Sequence, residues 1–428
     1  MQQFINPATA DWETILKRPT ASFKDLEPLV EEVFQEVKAK GDQALVDYTL
    51  KFDKVKLNSF AVSVEEYARA EKAVSDPLKA AIQLARENIK TFHTAQQTQT
   101  VSVETQPGVL CWQEKRPIEK VGLYIPGGSA PLFSTLLMLA VPAQIAGCKE
   151  IVLCTPPDAN GSIPDVILYT AQLCGVTQIF KVGGIQAIAA LTFGTATVPK
   201  VYKIFGPGNQ YVTVAKQMAT QHHVAIDMPA GPSELLVVAD QSANPAYVAS
   251  DLLSQAEHGA DSQVILVTTF PALLDQVRAV IATQIEALPR KDIANQAMAN
   301  SRMIAFETDA EAIAFINQYG PEHYIVCMEN ESLYLDQITN AGSVFIGNYT
   351  PESAGDYASG TNHTLPTNGY AKQYSGVNLD SFLKQMTFQK ISAKGIQNIG
   401  SAIELMAEAE GLQAHKNAVT LRLNDLEK

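Results

Sequence analysis

Four short segments place histidine beside amide or carboxylate side chains, a combination that serves metal binding and proton transfer. The first, S-Q-A-E-H, covers residues 254–258. Asn244-Pro245 is a helix-start signal, and Val248 and Leu252 form the inward stripe of the helix it opens. Gln255 falls roughly in line with that stripe and His258 follows at i+3, so two metal-competent side chains face one region. Taken alone, a satisfied core glutamine and a helix-ending histidine before Gly259 is the simpler account. The second segment, Y-G-P-E-H, covers residues 319–323. Gly320-Pro321 ends a helix, and Glu322 and His323 precede the apolar run Y-I-V-C-M. A carboxylate and an imidazole at such a turn suit a base and a proton carrier, because a loop presents them while the sheet fixes them. An exposed ion pair is the alternative. The third segment, G-D-Y-A-S-G-T-N-H, covers residues 355–363 and carries Asp356 and His363. Its Gly, Ser, Thr and Asn content, between Pro351 and Pro366, rarely serves to fill a core, though a plain turn has the same composition. The fourth, A-E-G-L-Q-A-H, covers residues 409–415, with Glu410 and His415 on either side of a helix-breaking Gly411. By itself it reads as an exposed C-terminal helix with ordinary charges.

Three glycine-rich turns form a second kind of site. Y-I-P-G-G-S-A at 124–130, K-V-G-G-I-Q-A at 181–187 and F-G-P-G-N at 205–209 each follow a strand pattern and precede a helix pattern. Exposed amides at a helix N-terminus suit a phosphate. None fits G-x-G-x-x-G followed by an acid, so the usual dinucleotide fingerprint is absent and an ordinary tight turn explains any one of them. Three in one α/β unit point to a nucleotide.

These segments need rigid elements behind them. From Lys120 the pattern alternates strands (V-G-L-Y-I, E-I-V-L-C, Q-I-F-K-V, K-I-F) with Ala- and Leu-rich helices, and a second series follows (E-L-L-V-V-A-D, Q-V-I-L-V-T, H-Y-I-V-C-M, S-V-F-I-G). Such alternation predicts two parallel-sheet α/β units. Before them, Leu26, Leu29, Val30, Val33, Phe34 and Val37 recur at helical spacing behind Asp25 as N-cap, and a second helix runs from Asp76-Pro77 to about Thr91. After about Val377 the strand pattern ends and apolar residues such as Phe382, Met386 and Phe388 predict a helical tail.

The 428 residues exceed one ordinary core, and 46% hydrophobic against 18% charged residues argues against disorder. A net charge of −13 excludes a sequence-blind nucleic-acid binder, and no basic run suggests an anionic membrane. The start, M-Q-Q-F-I-N-P, lacks a cationic region and an apolar run, so no signal peptide is expected. The apolar stretch 131–146 contains Ser134, Thr135, Pro142 and Gln144 and suits a buried helix better than a membrane span. Five scattered cysteines (111, 148, 154, 174 and 327) argue against a disulfide framework and for a reducing cytoplasm. With no C-x-x-C pair, a zinc site would draw on His, carboxylate or amide ligands.

From about Phe23 to its end the chain resembles the histidinol dehydrogenase family. The resemblance rests on G-L-Y-I-P-G-G-S-A-P-L-F-S-T, V-G-G-x-Q-A, F-G-P-G-N, D-M-P-A-G-P-S-E, L-S-Q-A-E-H-G, P-E-H, S-G-x-N-H-x-L-P-T and E-G-L-x-A-H, in that order. Ile185 stands where the family often has Ala. The resemblance implies two Rossmann-like α/β domains lacking the G-x-G-x-x-G fingerprint, with small N- and C-terminal helical extensions. The expected division is an extension over 1–25, a discontinuous domain of 26–123 and 234–377 carrying the metal and acid–base residues, an inserted nucleotide domain of 124–233, and a tail of 378–428. It implies zinc held by Gln255, His258, Asp356 and His415, and Glu322 and His323 as the acid–base pair. Substrate contacts carry over to Ser233, His323 and Glu410 together with the four metal-binding residues, and NAD contacts to Tyr124, Gln186 and Asn209. His363 matches a family position without an assigned role. The implied reaction takes L-histidinol through its aldehyde to L-histidine with two NAD, in a cytoplasmic homodimer whose tails complete each other's sites. A related amino alcohol or aldehyde as substrate is the alternative. A thiol-dependent aldehyde dehydrogenase using Cys111 or Cys148, and a noncatalytic zinc- or ligand-binding protein, are the competing classes.

Overall fold

A computed structural model describes residues 1–19, 25–127 and 131–428. It divides into two compact units, residues 1–96 with 118–381 and residues 97–117 with 382–428.

The larger unit contains two parallel sheets. The first runs, edge to edge, Gln178–Lys181, Glu150–Thr155, Lys120–Tyr124, Lys203–Phe205 and Ala225–Ile226. The second runs Gln2–Ile5, Arg302–Ala305, Gln263–Thr268, Glu234–Ala239, His323–Cys327 and Ser343–Ile346. All eight predicted strands are present. Strands such as Glu234–Ala239 and Gln263–Thr268 are buried along their whole length, as expected for a parallel sheet covered on both faces. Three strands had no clear sequence signal. Gln2–Ile5 is a polar edge strand, Ala225–Ile226 has only two residues, and Arg302–Ala305 only four.

The early helices lie over the first sheet, not the second. Glu27–Lys40 packs on the helices Gly184–Phe193 and Gln210–Gln221, Val64–Ala73 on Asp165–Leu173, and Asp76–Ala95 on Phe133–Ala146. Val30, Phe34 and Leu45 accordingly share one buried cluster with Ile188 and Ala215. The expected assignment of 26–123 to the metal-bearing domain is therefore corrected. A helix with a single apolar stripe covers whichever sheet is within reach, and periodicity does not name that sheet. The first of these helices starts one residue later than Asp25 predicts. Leu26 is its N-cap without a side-chain hydrogen bond, and Pro28 presets the first turn.

The smaller unit is an antiparallel sheet, Leu383–Ile391, Val109–Pro117 and Val101–Gln106, followed by a helical hairpin, Ala393–Ala409 and Gln413–Leu426. The expected all-helical tail is thus corrected over 383–391, and 97–117 belongs with it. Leu383–Ile391 is mostly exposed and carries three polar and two charged residues, so no buried-strand signal marks it. Trp112 stacks on Phe388 across this sheet at 5.2 Å.

Candidate active site

All strands of the second sheet point the same way, so their first residues share one edge. Gln263 pairs with Glu234, and His323 with Leu235. Glu322 and His323 enter that edge directly from the helix Asp309–Tyr319, which ends on Gly320 in the left-handed region (φ 62°). Both are buried, at 6% and 3% exposure, which rules out a surface ion pair. Glu234 holds them with its backbone. Its N–H donates to Glu322 Oε2 at 2.8 Å, and its carbonyl lies 3.1 Å from His323 Nδ1. Its carboxylate in turn accepts Arg18 Nε at 2.5 Å, Arg18 Nη2 at 2.9 Å and the Asn368 N–H at 2.7 Å. Arg18 also donates to the Tyr319 carbonyl and lies over the Tyr319 ring.

The helix Pro245–Ala256 supplies the next group. Asn244 caps it by accepting from the Ala246 N–H, and Pro245 fits its first turn. Gln255 is buried in the last turn, and His258 follows just past the end. The Gln255 Nε2 donates to Glu352 Oε1 at 2.5 Å and lies 2.9 Å from His323 Nδ1. Its Oε1 is buried with no hydrogen-bond partner. Asp356 does not sit in a loop, as its composition suggests, but on the short helix Glu352–Tyr357, four residues after Glu352 on the same face. His258, Glu352 and Asp356 offer ligand atoms all within 4.8 Å of one another, the metal-competent group among the described residues. An unpartnered amide oxygen beside an imidazole and two carboxylates is a donor set that fits zinc.

Glu352 was not singled out from sequence. Its 1% exposure and its bonds from Gln255 and Ser254 place it in the site. The one available signal was its i, i−4 relation to Asp356. His363, without a role in the sequence, also finds one. Its Nδ1 donates to the Asp356 carbonyl at 2.9 Å and its Nε2 accepts from Thr135 Oγ1 at 3.0 Å, which fixes the tautomer and the Asp356 backbone.

Burial sets the electrostatics. It raises the Glu322 carboxyl above its ordinary range, against the pull of His323. Burial opposes charge on His323, but Glu322, Glu352 and Asp356 raise its pKa well above the usual value. Burial alone would raise Asp356 too, yet the facing His323, His363 and His258 hold it lower. The His323 Nε2 lies 3.6 Å from Asp356 Oδ1 and has no hydrogen-bond partner.

Beside this cluster lies a cleft of about 780 Å³. Ser233 and His258 line one wall; Tyr124, Gln186 and Asn209 line the other, at the carboxyl ends of the first sheet's strands, where such sheets bind ligands. Tyr124 accepts the Gly184 N–H at its hydroxyl, 3.0 Å away. Asn209 caps the helix Gln210–Gln221 through the Val212 N–H. Gln186 Oε1 is buried without a partner. The third turn is clasped by a buried ion pair. Lys216, paired with Asp227, donates to the Gly206 carbonyl at 2.8 Å, and Asp227 accepts the Gly206 N–H at 2.8 Å. Gly206 (φ 134°) has no room for a side chain, because a Cβ would lie 2.0 Å from the Tyr124 carbonyl oxygen. Residues 128–130 of the first turn lie outside the described residues.

Glu410 and His415 belong to the smaller unit. Glu410 caps the end of Ala393–Ala409, His415 lies in the first turn of Gln413–Leu426, and both are exposed. The thiol alternative loses its nucleophile in the larger unit, where burial pushes Cys148, Cys174 and Cys327 up to about 12 and Cys154 higher still.

Residues 16–423 match the family model described as histidinol dehydrogenase. The chain is 58% identical over 420 residues to the histidinol dehydrogenase of Bacteroides thetaiotaomicron, covering 98% of each. It is 55% identical over 427 residues to that of Escherichia coli (strain K12), covering 99% of this chain and 98% of the relative. The solved histidinol dehydrogenase of Elizabethkingia anophelis superposes with a TM-score of 0.98 at 59% identity, covering 100% of this chain and 99% of that one.

Proposed function

The chain belongs to the histidinol dehydrogenase family, and from that premise we propose that it oxidises L-histidinol through L-histidinal to L-histidine, the last step of histidine biosynthesis, at one zinc site with NAD as the hydride acceptor. The observation that carries the reading is the buried Glu322–His323 pair set against the unpartnered Gln255 Oε1, His258 and Asp356.

Gln255, His258 and Asp356 would hold zinc, with His415 of the partner subunit as fourth ligand. Bound zinc supplies a Lewis-acid anchor for the amino group and imidazole of the substrate. His323 exchanges the substrate's hydroxyl proton at Nε2, its ring atom free of protein hydrogen bonds. Alcohol and NAD give aldehyde, NADH and a proton. Glu322, made more basic by burial, then takes a proton from water as the water adds to the aldehyde carbon. The hydrated aldehyde and a second NAD give the carboxylate, NADH and two protons. A buried site keeps the aldehyde from escaping between steps.

Ser233 and Glu410 complete the substrate contacts, and Tyr124, Gln186 and Asn209 contact the nucleotide. Two observations support a homodimer with shared sites. Glu410 and His415 are exposed on a separate compact unit, and Leu405, Met406 and Leu421 on the same helical hairpin are two-thirds exposed. The test is NADH yield from L-histidinol, with and without a chelator. Two NADH per L-histidine, lost on chelation and restored by zinc, is expected. One NADH with release of free histidinal overturns the single-site reading.

A further inference from the structure

A glutamine side chain offers a metal two different faces. The amide oxygen carries lone pairs, whereas the NH2 group has only donors and repels a cation. The two groups are close in size, so packing by itself selects neither. Gln255 can serve a cation only if something turns its oxygen outward and keeps it there.

That choice is made from behind by Glu352. It opens the short helix Glu352–Tyr357, which packs against Pro245–Ala256, and it is 1% exposed. Its Oε1 accepts from Gln255 Nε2 at 2.5 Å, and its Oε2 accepts from the Ser254 hydroxyl at 3.1 Å. Both carboxylate oxygens thus take donors from adjacent residues of one helix. A reversed amide would set its own oxygen against Glu352 Oε1, two acceptors with no proton between them. The Gln255 oxygen is therefore the outer face of the amide, buried and without a protein partner. The same orientation brings Gln255 Nε2 to 2.9 Å from His323 Nδ1, so one amide setting serves the donor set and the acid–base pair together.

We propose that Glu352 is a positioning residue for the metal, an acceptor that locks the Gln255 amide with its oxygen toward the ion. This rests on the zinc reading of the site given above. The chemistry required is an acceptor at Oε1, not a charge. Glutamine at 352 can meet it, with its own oxygen facing Gln255 and its NH2 group donating to the Ser254 oxygen. Ser254 then keeps its bond to the Asp251 carbonyl, 2.8 Å away. A side chain of similar size without an acceptor, such as methionine, cannot meet it.

Zinc affinity of the full-length protein tests the lock. The metal-free protein competes for zinc with a chromophoric chelator, and urea unfolding of the metal-free forms checks that each variant folds. Glu352→Met is expected to weaken zinc by at least about tenfold, the usual cost of losing a group that orients a ligand. Glu352→Gln should stay within about threefold of the parent, the scale of one neutral hydrogen bond. In a Gln255→Ala background, where no amide is left to orient, adding Glu352→Met should change the affinity by less than about twofold, as expected of a residue that acts through Gln255. Equal weakening by Glu352→Gln and Glu352→Met overturns the proposal, because the carboxylate would then act by its charge or by binding the ion itself. A Glu352→Met effect that persists undiminished without Gln255 overturns it too, as does a folded Glu352→Met protein with the parent's affinity. Glu352→Gln keeps the shape of the site, so a tenfold loss in that variant decides against the lock even where Glu352→Met is unstable. A parent that takes up no zinc would instead remove the zinc reading on which the lock stands.

Discussion

Arg18→Met removes the cation that steadies Glu234, and through Glu234 the acid–base pair. The side chains of Arg18 and Glu234 are 12% and 3% exposed, so the ion pair is shielded from water. Without Arg18 the Glu234 carboxylate keeps one of its protein donors, the Asn368 N–H. Removing one partner of a buried pair costs about 3–5 kcal/mol, because the remaining charge stays buried and uncompensated. Arg18→Met should therefore be strongly destabilised in urea unfolding followed by circular dichroism. Glu234→Gln in the Arg18→Met background should recover part of the loss, giving a coupling of about 1–3 kcal/mol in a double-mutant cycle. The reaction should suffer as well. Glu322 and His323 lean on the Glu234 backbone, and misplacement of reacting groups by about 1 Å can cost on the order of 10²-fold. We expect kcat for L-histidinol to fall by at least about tenfold while the protein remains folded at low temperature. Additive single effects within about 0.5 kcal/mol, or an unchanged kcat, would refute the view that Arg18 acts through Glu234.

Glu322→Gln keeps the shape of the site and removes the base, so oxidation of supplied histidinal should slow by roughly 10²-fold or more; parent-like rates in a stopped assay would contradict its role. Glu322→Gln and His415→Ala, inactive alone, should regain up to about a quarter of full activity after joint denaturation and refolding, because random re-pairing leaves one intact site in each mixed dimer. No recovery, with mixed dimers shown by mass spectrometry, would mean that His415 serves its own chain. Asp251 is pushed up to about 7 by burial. Its protonated form is thus favoured by folding, so its contribution is full below the unfolded value near 4 and is lost as pH rises through about 7. Asp251→Asn should match the parent in thermal unfolding at pH 4 and exceed it at pH 8; a difference of opposite sign would show that the carboxylate is stabilised inside.

The parallel sheets were legible because buried strands carry unbroken apolar runs, such as 235–239 and 264–267, between helix patterns. The site segments were legible through paired chemistry, as in Glu322-His323. Glu352 was not, because a lone glutamate beside Pro351 has the signature of an exposed helix start, and only the fold shows it buried against Gln255. The strand Leu383–Ile391 escaped for the opposite reason. It is stabilised by pairing with Val109–Pro117, more than 260 residues earlier, and periodicity within one segment does not report on a distant partner.

The clasp of Lys216 and Asp227 on Gly206 also bears on how this protein can change over generations. Three positions, spread over some twenty residues, behave as one inherited unit. Loss of either charge strands the other in the interior, so a lineage that drifts at Lys216 is expected to need a compensating change at Asp227 before either is tolerated. Gly206 admits no such exchange while the Tyr124 carbonyl oxygen occupies the space of a Cβ. New nucleotide preferences would then arise first in the walls of the cleft, with the clasped turn as their fixed frame.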